Sequence, residues 1–456
     1  METTIGYFGD ARLEKNGELI LQRVIERQGI CIRKLGDNRA EHLRFRRFLS
    51  HEAVTVKEMI SHRSMFVAAA ARGRHVLAIQ DTSEINYQAK SGRKRRLGTV
   101  GNGSDAGLFV HPVLAVDAGT EECLGLVDAQ VWRRTKRKDP NYKAQPIEEK
   151  ESYRWLQGGN QAKAVLAEAA MVTVIDDREG DIFEKWARLP DQRTHLLTRA
   201  CRDRSLPEGG RLFKTMGNFI EAHRYLLEVP ARTGKRSARL AWMAVRFAPV
   251  RVSRPQACSD PNAPAELELF AIEVRELTPP PGEQAIVWRL LTTHSVETVA
   301  QALCVIGWYR MRWHIEQLFR TMKRQGLRIE ESVVEDGIAL EKLAVIALIA
   351  ATITMQLVLS LSAGDQGRPA SRVFDAEQIE VLKALQKKLQ GRTIKQQNPF
   401  PPLSLAWAAW TITRLGGWTG YQSDKSTGPI TIRDGLERFH GIVDGYHIAL
   451  QHLSSS

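Results

Sequence analysis

The chain has 456 residues, enough for roughly two to four domains, and its 43% hydrophobic and 26% charged content is that of an ordinary globular protein. Lys and Arg number 65 against 52 Asp and Glu, so the net charge is 65 − 52 = +13, a balance that favours a polyanionic partner, nucleic acid foremost. The five cysteines, Cys31, Cys123, Cys201, Cys258 and Cys304, are scattered and form no C-x-x-C pair, which argues against a disulfide framework or a zinc site and fits a reducing cytosol.

The start, METTIGYFGDARLEKNGE, has no basic segment followed by an apolar one, so no signal peptide is expected. Residues 1–74 read as a helical domain, with Leu13, Gly17, Leu21 and Val24 at helical spacing. This segment holds 14 Lys/Arg against 9 Asp/Glu, 14 − 9 = +5. Within it LRFRRF (43–48) interleaves Arg44, Arg46 and Arg47 with Phe45 and Phe48, a pattern that suits phosphate contacts or a solvated face over a packed one.

A block of strands follows. HVLAIQD (75–81), LFVHPVLAVD (108–117) and CLGLVDAQVW (123–132) read as three strands, with Pro112 suggesting a bulge or a peripheral position. A helix near KESYRWLQ, the strand MVTVIDD (171–177) and the strand HLLTRA (195–200) complete a mixed α/β layer. Residues about 205–290 are β-rich and read as an insertion ending at TPPPGE (278–283). SVETVAQALCVIGWYRMRWHIEQLFRTMK (295–323) predicts one long helix with Ser295 as its cap. LAVIALIAATITMQLVLSLSAG (343–364) is long enough to span a bilayer, but its Thr, Gln and Ser residues favour a buried core helix, and no membrane association is expected. GDQGRPAS (364–371) reads as a linker into a helical C-terminal segment. The domain expectation is therefore 1–74, 75–363 and 364–456.

Three acids stand out. Asp81 and Asp177 each end an apolar strand, at the sheet rim where α/β sites form. Asp176 and Asp181 crowd the second position, so the choice among the acids of DDREGD is open. Glu316 lies on the long helix, where Tyr309, Arg312, Glu316, Arg320 and Lys323 fall within a stripe of roughly 80°. Met311, Ile315, Leu318 and Met322 occupy the opposite side. Singly, each acid is as readily a turn or surface residue. Together, an oxygen-only carboxylate set suits Mg²⁺ or Mn²⁺, and flanking cations suit phosphates.

Tyr309-x2-Arg312-x3-Glu316-x6-Lys323 resembles the Tyr-Arg-Glu-Lys signature of bacterial DDE transposases of the insertion-sequence-four (IS-four, Tn-five-type) family. VLAIQDTSE resembles that family's first-Asp strand, IDDREGDI its second-Asp motif and PIEEKESYRWL the helix between, with similarity running from FGDARL (8–13) to TRLGG (413–417). The sequence departs at Ser83 and Glu84, where a second Thr is usual, and at Asp176, where a small or apolar residue is usual.

The resemblance implies a ribonuclease H-like catalytic core with a β insertion, flanked by helical N- and C-terminal domains. It implies Asp81, Asp177 and Glu316 as the Mg²⁺-binding catalytic triad, with Mn²⁺ as a substitute. Tyr309, Arg312, Lys323 and Arg199 would contact phosphates, and Trp288 and Trp313 would frame a flipped base or simply pack. The implied activity is cut-and-paste transposition. Transposon-end DNA would be cleaved by two-metal phosphoryl transfer through a hairpin and its 3′ ends joined to target DNA, by a homodimer in a synaptic complex. The expected location is the bacterial cytoplasm, with the protein associated with the nucleoid when bound to DNA. The basic tracts GRKRRLG (92–98) and RRTKRK (133–138) are further candidates for gripping phosphates. The competing classes are a catalytically silent DNA-binding regulator derived from a transposase, and another ribonuclease H-fold nuclease.

Overall fold

The computed structural model describes residues 4–101, 103–134, 141–142, 145–231, 236–361, 367–421 and 427–454. Helices α1 (Ala11–Arg27), α2 (Ile32–Leu35), α3 (Arg39–Ser50) and α4 (Val56–Ala71) precede strands β1 (His75–Gln80), β2 (Ser83–Asn86), β3 (Gly98–Val100), β4 (Asp105–Asp117) and β5 (Cys123–Trp132). Then come α5 (Tyr153–Val165), β6 (Met171–Asp176), α6 (Phe183–Arg188) and β7 (Thr194–Arg199). After α7 (Leu212–Gly217) the insertion supplies β8 (Glu221–Val229), β9 (Arg239–Ser253), β10 (Glu266–Glu276) and β11 (Val287–Thr292). Helices α8 (Val299–Met311), α9 (Trp313–Met322), α10 (Gly337–Ser360), α11 (Ala376–Leu389), α12 (Leu405–Leu415) and α13 (Pro429–Ser454) finish the chain. The fold is mixed α/β with extensive sheet and helices.

Two compact units result. One comprises residues 73–81 and 138–312; the other comprises 1–72, 82–137 and 313–456. This division differs from the three consecutive segments expected from sequence, because each unit draws on separated stretches of chain.

In the unit formed by 73–81 and 138–312 the strand order is β1-β6-β7-β11-β10-β9-β8. β1, β6 and β7 are parallel, with Ile79 beside Ile175 and Asp176 beside Thr198. Their apolar runs are buried on both faces, as parallel strands require. α5 packs on β1 and β6. The insertion strands are antiparallel, starting from Leu290 paired with Arg199.

In the other unit β4 pairs with β2, β3 and β5. Pro112 sits in register with Ala129 inside this ladder, and the irregularities fall at Val113/Leu114 and Ala115/Val116, just beyond it. α1 starts where the Asp10 carboxylate accepts from the Arg12 N–H. α3 and α4 start with the same device, using Asn38 and Thr55. Leu13, Gly17, Leu21 and Val24 are buried, as their spacing predicts. α10 passes for a membrane span by length and composition, but 94% of its most apolar stretch is buried. It is a core helix, packed on α4, β5 and α12.

The expected single helix over 295–323 is two helices. Its cap is Thr298, which forms a reciprocal capping box with Gln301, rather than Ser295. The break falls at Arg312, whose N–H bonds to the Tyr309 carbonyl three residues back, a tighter turn than the α-helical one. RRTKRK extends beyond the described residues at 135–138, as does the linker at 364–366.

On β5, burial pushes the Asp128 carboxyl up to about 6, against an opposing hydrogen bond from Gln130. The folded group titrates above its unfolded value, so its favourable contribution is full at low pH and is lost as pH rises through about 6. Asp128→Asn is therefore expected to stabilise the protein at pH 8 by on the order of 1–2 kcal/mol, allowing for partial solvent screening, and to gain little at pH 4. Denaturant unfolding at the two pH values checks this.

Candidate active site

The parallel strands set the rim. Gln80 and Asp176 are the last residues of β1 and β6 and lie level with Thr198, the penultimate residue of β7; the next residues outward are Asp81, Asp177 and Arg199. Successive strand residues face opposite ways, so the inner row and the rim row have different surroundings.

The structure separates the three competing acids. Asp176 is fully buried and accepts hydrogen bonds from Gln80 Nε2 at 2.8 Å, Thr198 Oγ1 at 2.9 Å and Lys185 Nζ. Burial pushes Asp176 up and Lys185 down, while their mutual attraction opposes both shifts. Asp181 is also buried, accepting from the Cys201 and Arg202 N–H groups at 3.0 and 3.1 Å and from Arg204. Asp177 is only partly buried. One of its oxygens caps the short turn at 178–180 through the Glu179 N–H at 2.7 Å, and the other has no hydrogen-bond partner among the described residues. Gly180 permits this turn, since a Cβ there would lie 2.4 Å from the Asp176 Cβ. Of the three acids, Asp177 is therefore the one with coordinating capacity to spare.

Asp81 faces Arg312, whose Nη1 donates to Oδ2 at 3.1 Å. The Arg312 guanidinium also lies 5.9 Å from the centre of the Tyr309 ring. Burial pushes the Tyr309 phenol up, opposed by the charges of Arg312 and Arg199. Burial pushes Arg199 down, countered by Tyr309 and Asp177 and reinforced by Arg178 and Arg312. Arg199 Nη2 is fixed by the Val287 carbonyl at 3.0 Å. Trp288 is half-buried and meets Tyr309 edge-on at 6.0 Å. One unit thus gathers Asp81, Asp177, Arg199, Trp288, Tyr309 and Arg312. Beside them lies a cleft of about 920 Å³ lined by Arg178, Arg199, Arg236, Phe213, Trp288 and Arg289. Sequence reading missed Arg178, although it directly follows Asp177, because one arginine in a basic chain carries no signal.

The remaining expected residues belong to the other unit. Glu316 is half-buried in the first turn of α9, while Ile315, Leu318 and Met322 fill the core. Lys323 stands 3.7 Å from Glu330; burial pushes its ammonium down, with Glu330 and Glu84 opposing. Trp313 is 44% exposed, with the Arg320 guanidinium 4.8 Å from its ring centre, so it is no core residue. Arg44, Arg46 and Arg47 are exposed on α3, above buried Phe45 and Phe48. In GRKRRLG, Arg93, Arg95 and Arg96 are exposed and Lys94 is half-buried. Lys94 donates to the Ser332 carbonyl at 2.7 Å, Arg95 pairs with Glu335 at 3.2 Å and Arg96 with Asp336 at 2.6 Å.

Among the described residues no group of three or more His, Cys, Asp or Glu side chains stands arranged to hold a metal ion. The acids available at the rim offer carboxylate oxygen alone, a donor chemistry that fits a hard divalent cation and not a soft one.

Residues 189–353 match the family model described as "Transposase DDE domain". The match includes Arg199, Trp288, Tyr309, Arg312, Glu316 and Lys323, and leaves Asp81 and Asp177 outside it. Among solved structures, the chain is similar to a cryo-EM structure of the piggyBac transposase synaptic complex with hairpin DNA, at 10% identity and a TM-score of 0.38 over 80% of this chain and 70% of that one. So distant a likeness carries no argument about this chain's fold or partners. The domain match supports a DNA transposase of the DDE type.

Proposed function

We propose that this chain is a cut-and-paste DNA transposase of the IS-four type that cleaves its transposon ends and joins them to target DNA. The observation that carries the reading is the rim of the parallel strands. There two carboxylates, Asp81 and Asp177, stand with Arg199, Arg312 and Tyr309, so carboxylate oxygens and phosphate-binding cations share one edge. A ribonuclease H-like core is the corresponding fold, with residues 1–74 binding DNA, about 205–290 inserted in the 75–363 catalytic segment, and 364–456 pairing two copies.

Asp81, Asp177 and Glu316 would hold Mg²⁺, with Mn²⁺ substituting. Bound there, a metal pair supplies Lewis acidity and an activated water or 3′-hydroxyl for in-line displacement. Arg199, Arg312 and Lys323 neutralise phosphate charge beside the cleaved bond, and Tyr309 supplies a hydroxyl donor at the same place. Arg312 has a second role, since its contact to Asp81 fixes that carboxylate's direction. Trp288, half-buried beside the cleft, and the exposed Trp313 offer aromatic faces to an unstacked base. Arg44, Arg46 and Arg47 hold flanking duplex. The protein would work in the bacterial cytoplasm, on the nucleoid.

Incubation with labelled DNA carrying the element's own inverted repeats tests this. Nicked and then hairpin products are expected in Mg²⁺ or Mn²⁺. DNA binding without any product would favour a silent regulator, and neither binding nor product would end the proposal.

Homodimerisation is supported by α13. Ile442, Tyr446, Leu450 and Leu453 are 39%, 42%, 41% and 76% exposed and fall within about 80° of one helix face. Tyr446→Glu with Leu450→Glu is expected to halve the mass seen by light scattering in the DNA-bound complex. An unchanged mass would count against this face.

A further inference from the structure

Each rim residue is preceded by a polar residue turned inward, and the three inward residues meet. Gln80 precedes Asp81, Asp176 precedes Asp177 and Thr198 precedes Arg199. Gln80 Nε2 reaches Asp176 Oδ1 at 2.8 Å, Thr198 Oγ1 reaches Asp176 Oδ2 at 2.9 Å, and Lys185 Nζ from α6 bonds the same Oδ2. Gln80 Nε2 also donates to the Trp155 carbonyl of α5 at 3.0 Å. All four residues are at most 1% exposed. One carboxylate therefore ties together the ends of three parallel strands and two helices.

We infer that the Asp176–Lys185–Gln80–Thr198 network is the positioning element of the proposed site, fixing Asp81, Asp177 and Arg199 relative to one another. The inference rests on the proposed function. Strand ends fray because their outermost backbone groups lack partners. A metal site tolerates displacements of only about 0.5 Å in its ligands. Each rim residue is one residue from a network member, so the network's rigidity passes directly to the rim. A buried ion pair is a costly way to fill space, since an apolar set of like volume often folds as well. A fully satisfied polar network, in contrast, fixes one geometry. Asp176 can do this because its two oxygens receive donors from three directions; an apolar side chain at that position would pack without direction. Lys185, Gln80, Thr198 and Asp176 are positioning residues, since none is placed to touch DNA.

Two paired replacements separate positioning from simple stability. Asp176→Val with Lys185→Met keeps the volume and removes the network. Asp176→Asn with Lys185→Gln removes the charges and keeps a directional network, the new amide oxygen accepting from Gln80 and the new NH2 donating to the Thr198 hydroxyl. Both are expected to melt near wild type and to shift end DNA without metal. The apolar pair is expected to show faster amide exchange at residues 81, 177 and 199, about 10-fold weaker Mn²⁺ binding by calorimetry, and cleavage reduced about 30-fold. The polar pair should stay within about 3-fold on every measure. Gln80→Leu and Thr198→Val, which leave no charge unpaired, provide the same readouts if a pair fails to fold, with smaller effects in the same direction. Wild-type exchange and Mn²⁺ binding in the apolar pair would overturn the inference, as would equal damage in both pairs. The exchange measurement needs neither metal nor DNA. If wild type itself fails to cleave, the proposed function falls and the network's role is still decided.

Discussion

Asp177→Asn is expected to lower the rate of end nicking by on the order of 10³-fold, the equivalent of about 4 kcal/mol of lost transition-state stabilisation, with DNA binding retained. Asp176 has three donors and Asp181 is held by two backbone N–H groups and Arg204, so neither carboxylate can be spared. Asp177 uses one oxygen as a cap and sits beside Arg199 and Tyr309. The Asn variant keeps the cap, because its amide oxygen still accepts from Glu179, but it loses the charge. Single-turnover cleavage of labelled end DNA, with a mobility shift as control, reads both effects. Cleavage at the wild-type rate would move the site to another acid.

Lys185→Met is expected to cost about 3–5 kcal/mol of stability, the usual cost of leaving one buried charge without its partner. Lys185 is fully buried against Asp176. Gln80 and Thr198 would remain as donors, but both are neutral. Asp176→Val in the same chain should recover most of the loss, because the pair then leaves no unmatched charge. Urea unfolding of the single and double variants measures this. A single variant within about 1 kcal/mol of wild type would show that Lys185 contributes no such compensation.

Much of the strand framework could be read in advance, because long apolar runs such as VLAIQ and MVTVI leave few alternatives once bounded by polar residues. Burial of α10 was legible for the same reason, from Thr, Gln and Ser scattered through an apolar run. What escaped was non-local. Nothing near DDREGD reveals that Asp176 is taken by Gln80, 96 residues away, so the acids looked interchangeable. The cations of GRKRRLG looked free because Glu335 and Asp336, 240 positions on, are invisible to a local reading. The break at Arg312 lacks a Pro or Gly to announce it; a single three-residue hydrogen bond makes it. The division into two units escaped because each is assembled from separated stretches of chain.

The proposed function makes Asp81, Asp177 and Glu316 the metal ligands on DNA. Titrating Mn²⁺ calorimetrically into the protein bound to its end DNA tests it most directly, with Asp81→Ala, Asp177→Ala and Glu316→Ala measured alongside. The account predicts saturable binding by the wild type and a weakening of at least about 10-fold in each variant. Undiminished binding in any one of the three would contradict it.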